Sequence, residues 1–250
     1  MTINLPSTHF YTLASLDIKL QNEIIEYNNA LLNTLSSKTL SAIKNAFSRS
    51  ILVWQNGLCY VKVSELNNLL RTGSSGAENY YWQQGISGYS SPSSPHELGG
   101  DIYISGPDFF GLLDARIQLT AGKTHLYLKY VRALYISITS SSIISDLRTS
   151  FSININNQRG ELKEQRISYY NIQQCEFTNN IFTNNSQVQF AHIESVTTAP
   201  LLALNIDNGV IIFKHIHADL TRLGIHDFAG MYDYCIQNNY STVWAEKYNL

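Results

Sequence analysis

Residues 51 to 61 constrain the fold more tightly than any other stretch. Ile51-Leu52-Val53-Trp54 and Leu58-Cys59-Tyr60-Val61 are apolar, strand-forming runs joined through Asn56-Gly57. That dipeptide is the one a type I′ turn demands, because both central residues need a positive φ. A hairpin here commits the chain to an antiparallel sheet, and the neighbouring elements must cover it. Upstream, Leu16, Leu20, Ile24, Tyr27, Leu31 and Leu35 recur at the spacing of one helical face, with Ser15 as N-cap. A second helix through Leu40, Ile43, Ala46 and Phe47 follows Ser36-Ser37, and Ser64 to Leu70 reads as one more short helix.

Residues 72–100 are punctuated by glycine and proline yet carry Tyr80, Tyr81, Trp82 and Tyr89. They read as a long loop, either a binding loop or an excursion whose aromatics tuck back onto the core. From Asp101 to about Ile172 the runs 102–104, 116–119, 124–130, 133–139, 150–155 and 167–172 alternate apolar and polar residues between turn signals. This predicts a strongly twisted antiparallel sheet or part-barrel, and with the helices before it an α+β fold.

Composition narrows the class. Hydrophobic residues make up 44% of the 250, enough for a sizeable core, and charged residues 14%, below the usual ~25%. Three cysteines, Cys59, Cys175 and Cys235, with no Cys-x-x-Cys pair, form no disulfide framework, so a reducing, cytoplasmic setting is expected. No apolar run is long enough to span a bilayer, and residues 1–6 do not resemble a secretion signal, so no membrane partner is expected. A net charge of −2 gives no global pull toward polyanions, although local clusters can still bind them.

The chemistry concentrates between Gln187 and Gly224. Val188, Phe190 and Ile193 predict a strand delivering Ala191-His192-Ile193 at its end; a loop with Pro200 follows, then a second strand from Asn208-Gly209 to Phe213. His217 falls on a helix that Gly224 can close in the left-handed conformation. In order, spacing and strand-helix context, residues 175–235 resemble the HNH nuclease family, the ββα-metal finger. The resemblance implies an N-terminal DNA-recognition or scaffold domain at 1–172 and an HNH-like catalytic domain at 173–250. It also implies a metal-dependent endonuclease of the type II restriction kind acting on double-stranded DNA.

Under that resemblance His192 is the general base, since a neutral imidazole takes a proton from water near neutral pH. His217 holds a divalent cation, Mg²⁺ or Mn²⁺, that offsets charge growing on the scissile phosphate. Asn208 either fixes the loop through backbone hydrogen bonds or joins Asp207 as a metal ligand. Two departures stand out. Ala191 occupies a position where relatives often place a ligating side chain, leaving Asp207, Asn208, Glu194 and His215 to complete the shell. Cys175 stands alone where relatives begin a zinc-binding pair, so hydrophobic packing is expected in place of a structural zinc. His215 and His217 point ~200° apart on a helix and cannot both face one ion.

DNA selection would fall to the remaining residues. Lys123, Lys129, Arg132, Arg148, Arg159, Lys163 and Arg166 outnumber Asp146, Glu161 and Glu164 over one stretch, the expected DNA-facing sheet or hairpin surface. Asn156, Asn157, Gln158 and Arg159 carry the side chains that read base edges. A palindromic site favours a homodimer. Three readings stay open against this one: a non-catalytic DNA- or ligand-binding module with a degenerate finger, a phage or mobile-element HNH endonuclease, and an Asp146 with Glu161-Leu162-Lys163 nuclease signature.

Overall fold

The computed structural model describes residues 3–4, 10–20 and 33–248. Its larger sheet contains β1 (Ile3–Asn4), β2 (Phe10–Thr12), β3 (Ile51–Trp54), β4 (Cys59–Lys62), β5 (His96–Leu98) and β6 (Asp101–Ser105), in the order β1-β5-β6-β4-β3-β2. All neighbours run antiparallel except β1 and β5. The hairpin at 51–62 forms with Leu52 opposite Tyr60, but its turn differs from the expected type. Among the described residues Gly57 has a positive φ (72°) and Asn56 does not. Gly57 N–H donates to the Trp54 carbonyl (2.8 Å), and Asn56 Oδ1 accepts from Leu58 N–H (2.9 Å). The Asn side chain has been spent on the turn's own backbone, which leaves the left-handed angle to glycine alone. The turn with two positive φ values is Gly99-Gly100, between β5 and β6.

Helix α1 (Ser37–Ser50) buries Ile43, Ala46 and Phe47, the stripe its spacing predicts. The helix expected over 16–35 does not begin there: Ser15 Oγ donates to the Thr12 carbonyl, Asp17 takes a positive φ and residues 18–20 are irregular. Residues 21–32 of that stretch lie outside the described residues, and 33–35 form a turn and a bend. A 3-10 turn (Val63–Glu65) leads into α2 (Leu66–Leu69). The segment 72–100 is no plain loop, for it holds α3 (Ala77–Gln84) and β5. Trp82 is buried, Tyr81 lies under the Arg116 guanidinium, and Tyr80 and Tyr89 are exposed.

The larger correction falls on residues 101–172. Only β6 is strand; α4 (Gly106–Gln118), α5 (Gly122–Thr139), α6 (Ser142–Gln158) and α7 (Leu162–Tyr170) follow. Ser105 caps α4 by accepting from Asp108 N–H (3.1 Å), with Pro107 in the first turn. The buried residues Phe109, Leu112, Leu113 and Ile117, then Val131, Leu134, Tyr135 and Ile138, keep three-to-four spacing. Burying that stripe against Val53, Val61 and Ile104 of the sheet outweighs the strand preference of the many Ile, Tyr and Thr residues, a preference worth at most ~1 kcal/mol each. No described helix is long and apolar enough to cross a membrane.

The chain divides into two compact units, 1–151 and 152–250. In the second, β7 (Val188–His192) pairs antiparallel with β8 (Gly209–Phe213), followed by α8 (Lys214–Leu223) and α9 (Phe228–Gln237). Register gives this hairpin two apolar faces. Ala191, Val210 and Ile212 join Ile216 and Leu220 of α8 and Met231 and Cys235 of α9; Val188 and Ile211 join Ile167 and Tyr170 of α7.

A buried ion pair ties α7 to this hairpin. Arg166, fully buried, donates through Nε and Nη2 to the two Glu176 oxygens (2.9 Å each) and through Nη1 to the Ile206 carbonyl (2.6 Å). Glu176 Oε2 also accepts from Ile211 N–H in β8 (2.7 Å). Arg166, expected on a DNA-facing surface, is instead buried, and its charge is consumed inside the unit. Removing one partner strands a buried charge, so Arg166→Ala should cost about 3–5 kcal/mol, whereas Arg166→Met with Glu176→Leu should cost markedly less. Urea unfolding followed by far-UV circular dichroism checks the ranking, and equal losses would contradict it.

Candidate active site

His192 ends β7 and lies opposite Gly209, the first residue of β8. Gly209 is required by its neighbour: an added Cβ would fall 2.1 Å from Cζ of Phe190. The Phe190 ring fills that space and meets the His192 imidazole edge to face, centroids 4.9 Å apart. On the imidazole, Nε2 lies 2.9 Å from the Ala203 carbonyl oxygen. A carbonyl can only accept, so Nε2 carries the proton and, in the neutral ring, Nδ1 keeps the lone pair. Burial holds the His192 pKa below its ordinary value, against the opposing pull of the Ala203 hydrogen bond; the charges of Arg159 and His217 push the same way as burial. His217, on α8, is lowered by burial as well. Both rings are therefore biased toward the neutral form.

The loop between the strands presents the Ala203 carbonyl, and Asn208 holds that loop. Fully buried, Asn208 accepts at Oδ1 from Glu194 N–H (2.8 Å) and donates through Nδ2 to the carbonyls of Glu194 (3.0 Å) and Leu202 (3.1 Å). A 3-10 turn at Pro200–Leu202 sets up the following carbonyl for His192. Of the two roles open to Asn208 by resemblance, its geometry is that of the brace.

The other expected metal ligands are also committed. The Tyr170 hydroxyl donates to Asp207 Oδ1, holding that phenol's pKa up to about 12, and Arg166 lies 4.0 Å from the same oxygen. Glu194 Oε1 accepts from Phe228 N–H at the start of α9 (3.2 Å). Ala191 is buried in the apolar core, and His215 is exposed and stacked on Phe213. Among the described residues no three His, Cys, Asp or Glu side chains gather as a cation site. The residues present do not make up the ligand set that the resemblance implies: His217 faces the cleft, but its expected partners do not.

That cleft, of ≈ 570 Å³, is lined by Phe190, His192 and His217 with Arg159, Lys163 and Lys214, and by no carboxylate. Arg159 follows the end of α6, Lys163 lies in the first turn of α7, and Lys214 opens α8. Lys214 and His217 are three residues apart on one helix and share a face. His192 and His217 also line a smaller cavity of ≈ 180 Å³ with His226 and Thr221. Lys214 and Phe190 were not read as site residues from sequence; the signal for Lys214 was a cation one helical turn before His217.

The expected DNA-reading residues sit on helices and a turn, not on a sheet or hairpin. Lys123, Lys129 and Arg132 belong to α5, where Lys123 is exposed and Arg132 pairs with Asp114 (3.4 Å). Asn157 and Gln158 are exposed at the end of α6, and Gln158 donates to Asn154 (2.7 Å). Of these six residues, Arg159 alone lines the cleft.

The brace generates a test. Asn208→Ala leaves one N–H and two carbonyls of the loop without their partner, a loss of about 2–3 kcal/mol by the cost of unmade buried hydrogen bonds. Urea unfolding read at Trp244, which is buried in the second unit, should show it, while His192→Ala, which strands only the Ala203 carbonyl, should cost less than Asn208→Ala. No protein family, curated protein or solved structure matches the chain, so the reading of this cleft rests on its own geometry.

Proposed function

We propose that the protein is a nuclease that hydrolyses phosphodiester bonds of double-stranded DNA at specific sites, in the manner of a type II restriction enzyme, with β7, β8 and α8 acting as a ββα finger. One observation carries this reading: an imidazole whose proton is pinned to a backbone carbonyl, with its other nitrogen available as base, lies in a basic cleft with no carboxylate. Carboxylate-free clefts lined by cations suit anionic substrates. In the reaction His192 Nδ1 takes a proton from water, the water oxygen bonds to phosphorus, and the bond from phosphorus to the leaving oxygen breaks as that oxygen gains a proton from solvent. Negative charge on the non-bridging oxygens is offset by the cations at the cleft. A homodimer would match the two halves of a palindromic site.

A second reading has a specific basis. Ala191 offers no ligating atom and Asn208 and Asp207 are occupied, as expected of a finger that binds DNA without cutting it.

Incubation with mixed-sequence plasmid DNA in Mg²⁺ or Mn²⁺ separates the two. Discrete fragments are expected, with at least ~10²-fold slower cleavage by His192→Ala and DNA binding retained. Because burial lowers the His192 pKa, the base is already deprotonated at neutral pH; the rate should rise with pH along a limb centred below about 6.5 and level off above it. Binding without cleavage across many sequences selects the second reading, and cleavage by His192→Ala at the wild-type rate removes His192 as base.

A further inference from the structure

The cations of the cleft permit a sharper statement, which rests on the phosphodiester reading above. Arg159 and Lys214 make no ion pair with any described acidic residue, although Asp and Glu together number 19 against 17 Lys and Arg. Lys163 is partly engaged, with Glu164 (3.3 Å) and the Asn185 carbonyl (3.2 Å). By contrast Arg166, on the helix that follows Arg159, is consumed by Glu176 and the Ile206 carbonyl. Leaving two cations unpaired at one cleft in a chain of net charge −2 costs electrostatic self-repulsion that an anion would relieve. The two histidines beside them are biased neutral, so the fixed positive charge of the cleft comes from these three side chains.

We propose that Arg159, Lys163 and Lys214 form a phosphate clamp that holds the nucleic-acid backbone against His192 in the absence of any divalent cation. The clamp takes over the grip that the committed Asn208 and Asp207 would otherwise have shared with a metal. Its ligand is the phosphodiester group itself, so it adds affinity without reading sequence. Arg159 presents a planar fork suited to two phosphate oxygens, whereas Lys163 and Lys214 act as point charges.

Fluorescence anisotropy of a labelled DNA duplex, in excess EDTA and over a range of salt, tests the clamp. Wild-type protein should bind with chelator present. Each of Arg159→Ala and Lys214→Ala should weaken binding to every duplex sequence alike and reduce the slope of log K against log salt by about 0.9, with the double variant losing about twice that. Arg222→Ala, which removes an exposed cation of α8 paired with Asp219, should leave both quantities unchanged. Circular dichroism establishes that each variant is folded before it is compared. Wild-type affinity and slope in the Arg159 and Lys214 variants would overturn the clamp, as would binding that appears only when Mg²⁺ or Mn²⁺ is added. Failure of hydrolysis reads differently: a protein that binds in EDTA through these residues but never cuts on addition of either metal keeps the clamp and loses the nuclease. One that cuts, while its variants bind like wild type, does the reverse.

Discussion

The second unit is organised around a charge that it cannot leave unpaired. Arg166 lies out of water on α7, and a desolvated guanidinium is tolerable only with a carboxylate in close, bidentate contact. Glu176 supplies it, and its second oxygen also takes the Ile211 N–H, so the pair reaches the middle of β8. The remaining Arg166 nitrogen takes the Ile206 carbonyl, and Tyr170 beside it takes Asp207. Helix, strand and the close of the loop are thereby fixed by one buried cation. Hydrophobic contact could hold the same elements together, but it is non-directional and would not select the angle at which the loop meets β8.

Directionality matters because the candidate base is oriented by backbone. His192 receives its orientation from the Ala203 carbonyl, and that carbonyl is held in the loop that Asn208 stitches through Leu202 and Glu194. Three successive layers are involved: a core ion pair anchoring the loop's end, a buried amide bracing its interior, and a carbonyl fixing the ring. Only the last touches the imidazole. Loss of either inner layer would act on the chemistry through position, while Arg159, Lys163 and Lys214 act on the same cleft through charge.

Much of this was legible in the sequence where one residue type has one physical meaning. The apolar stripe Ile43-Ala46-Phe47, the strand pair flanking Asn56-Gly57, and the strand ends at His192 and Gly209 could all be read from spacing. Residues 106–170 were misread because their helices are written in Ile, Tyr, Thr and Ser, residues that favour strands or turns, and the three-to-four recurrence at Val131, Leu134, Tyr135 and Ile138 was masked by that composition. Arg166 counted as one more surface cation because sequence carries no mark distinguishing an arginine that meets Glu176 from one that meets solvent. The Ala203 carbonyl was invisible for a simpler reason: every residue has one, and only folding decides which is aimed at a ring.

Gly209 differs from the glycines of the turns, since nothing about its own backbone angle calls for glycine; the ring of Phe190 does. The two positions thus share a single volume, and a change at one is conditional on a change at the other. A larger residue at 209 becomes admissible only once the ring at 190 has shrunk, and a smaller residue at 190 opens a void beside the imidazole unless position 209 grows to fill it. In descent such a pair moves through a narrow passage, because each single step disturbs the support of His192 before the second step restores it. The pair should therefore be inherited together, and where it has changed in a relative of this chain, both halves will have changed.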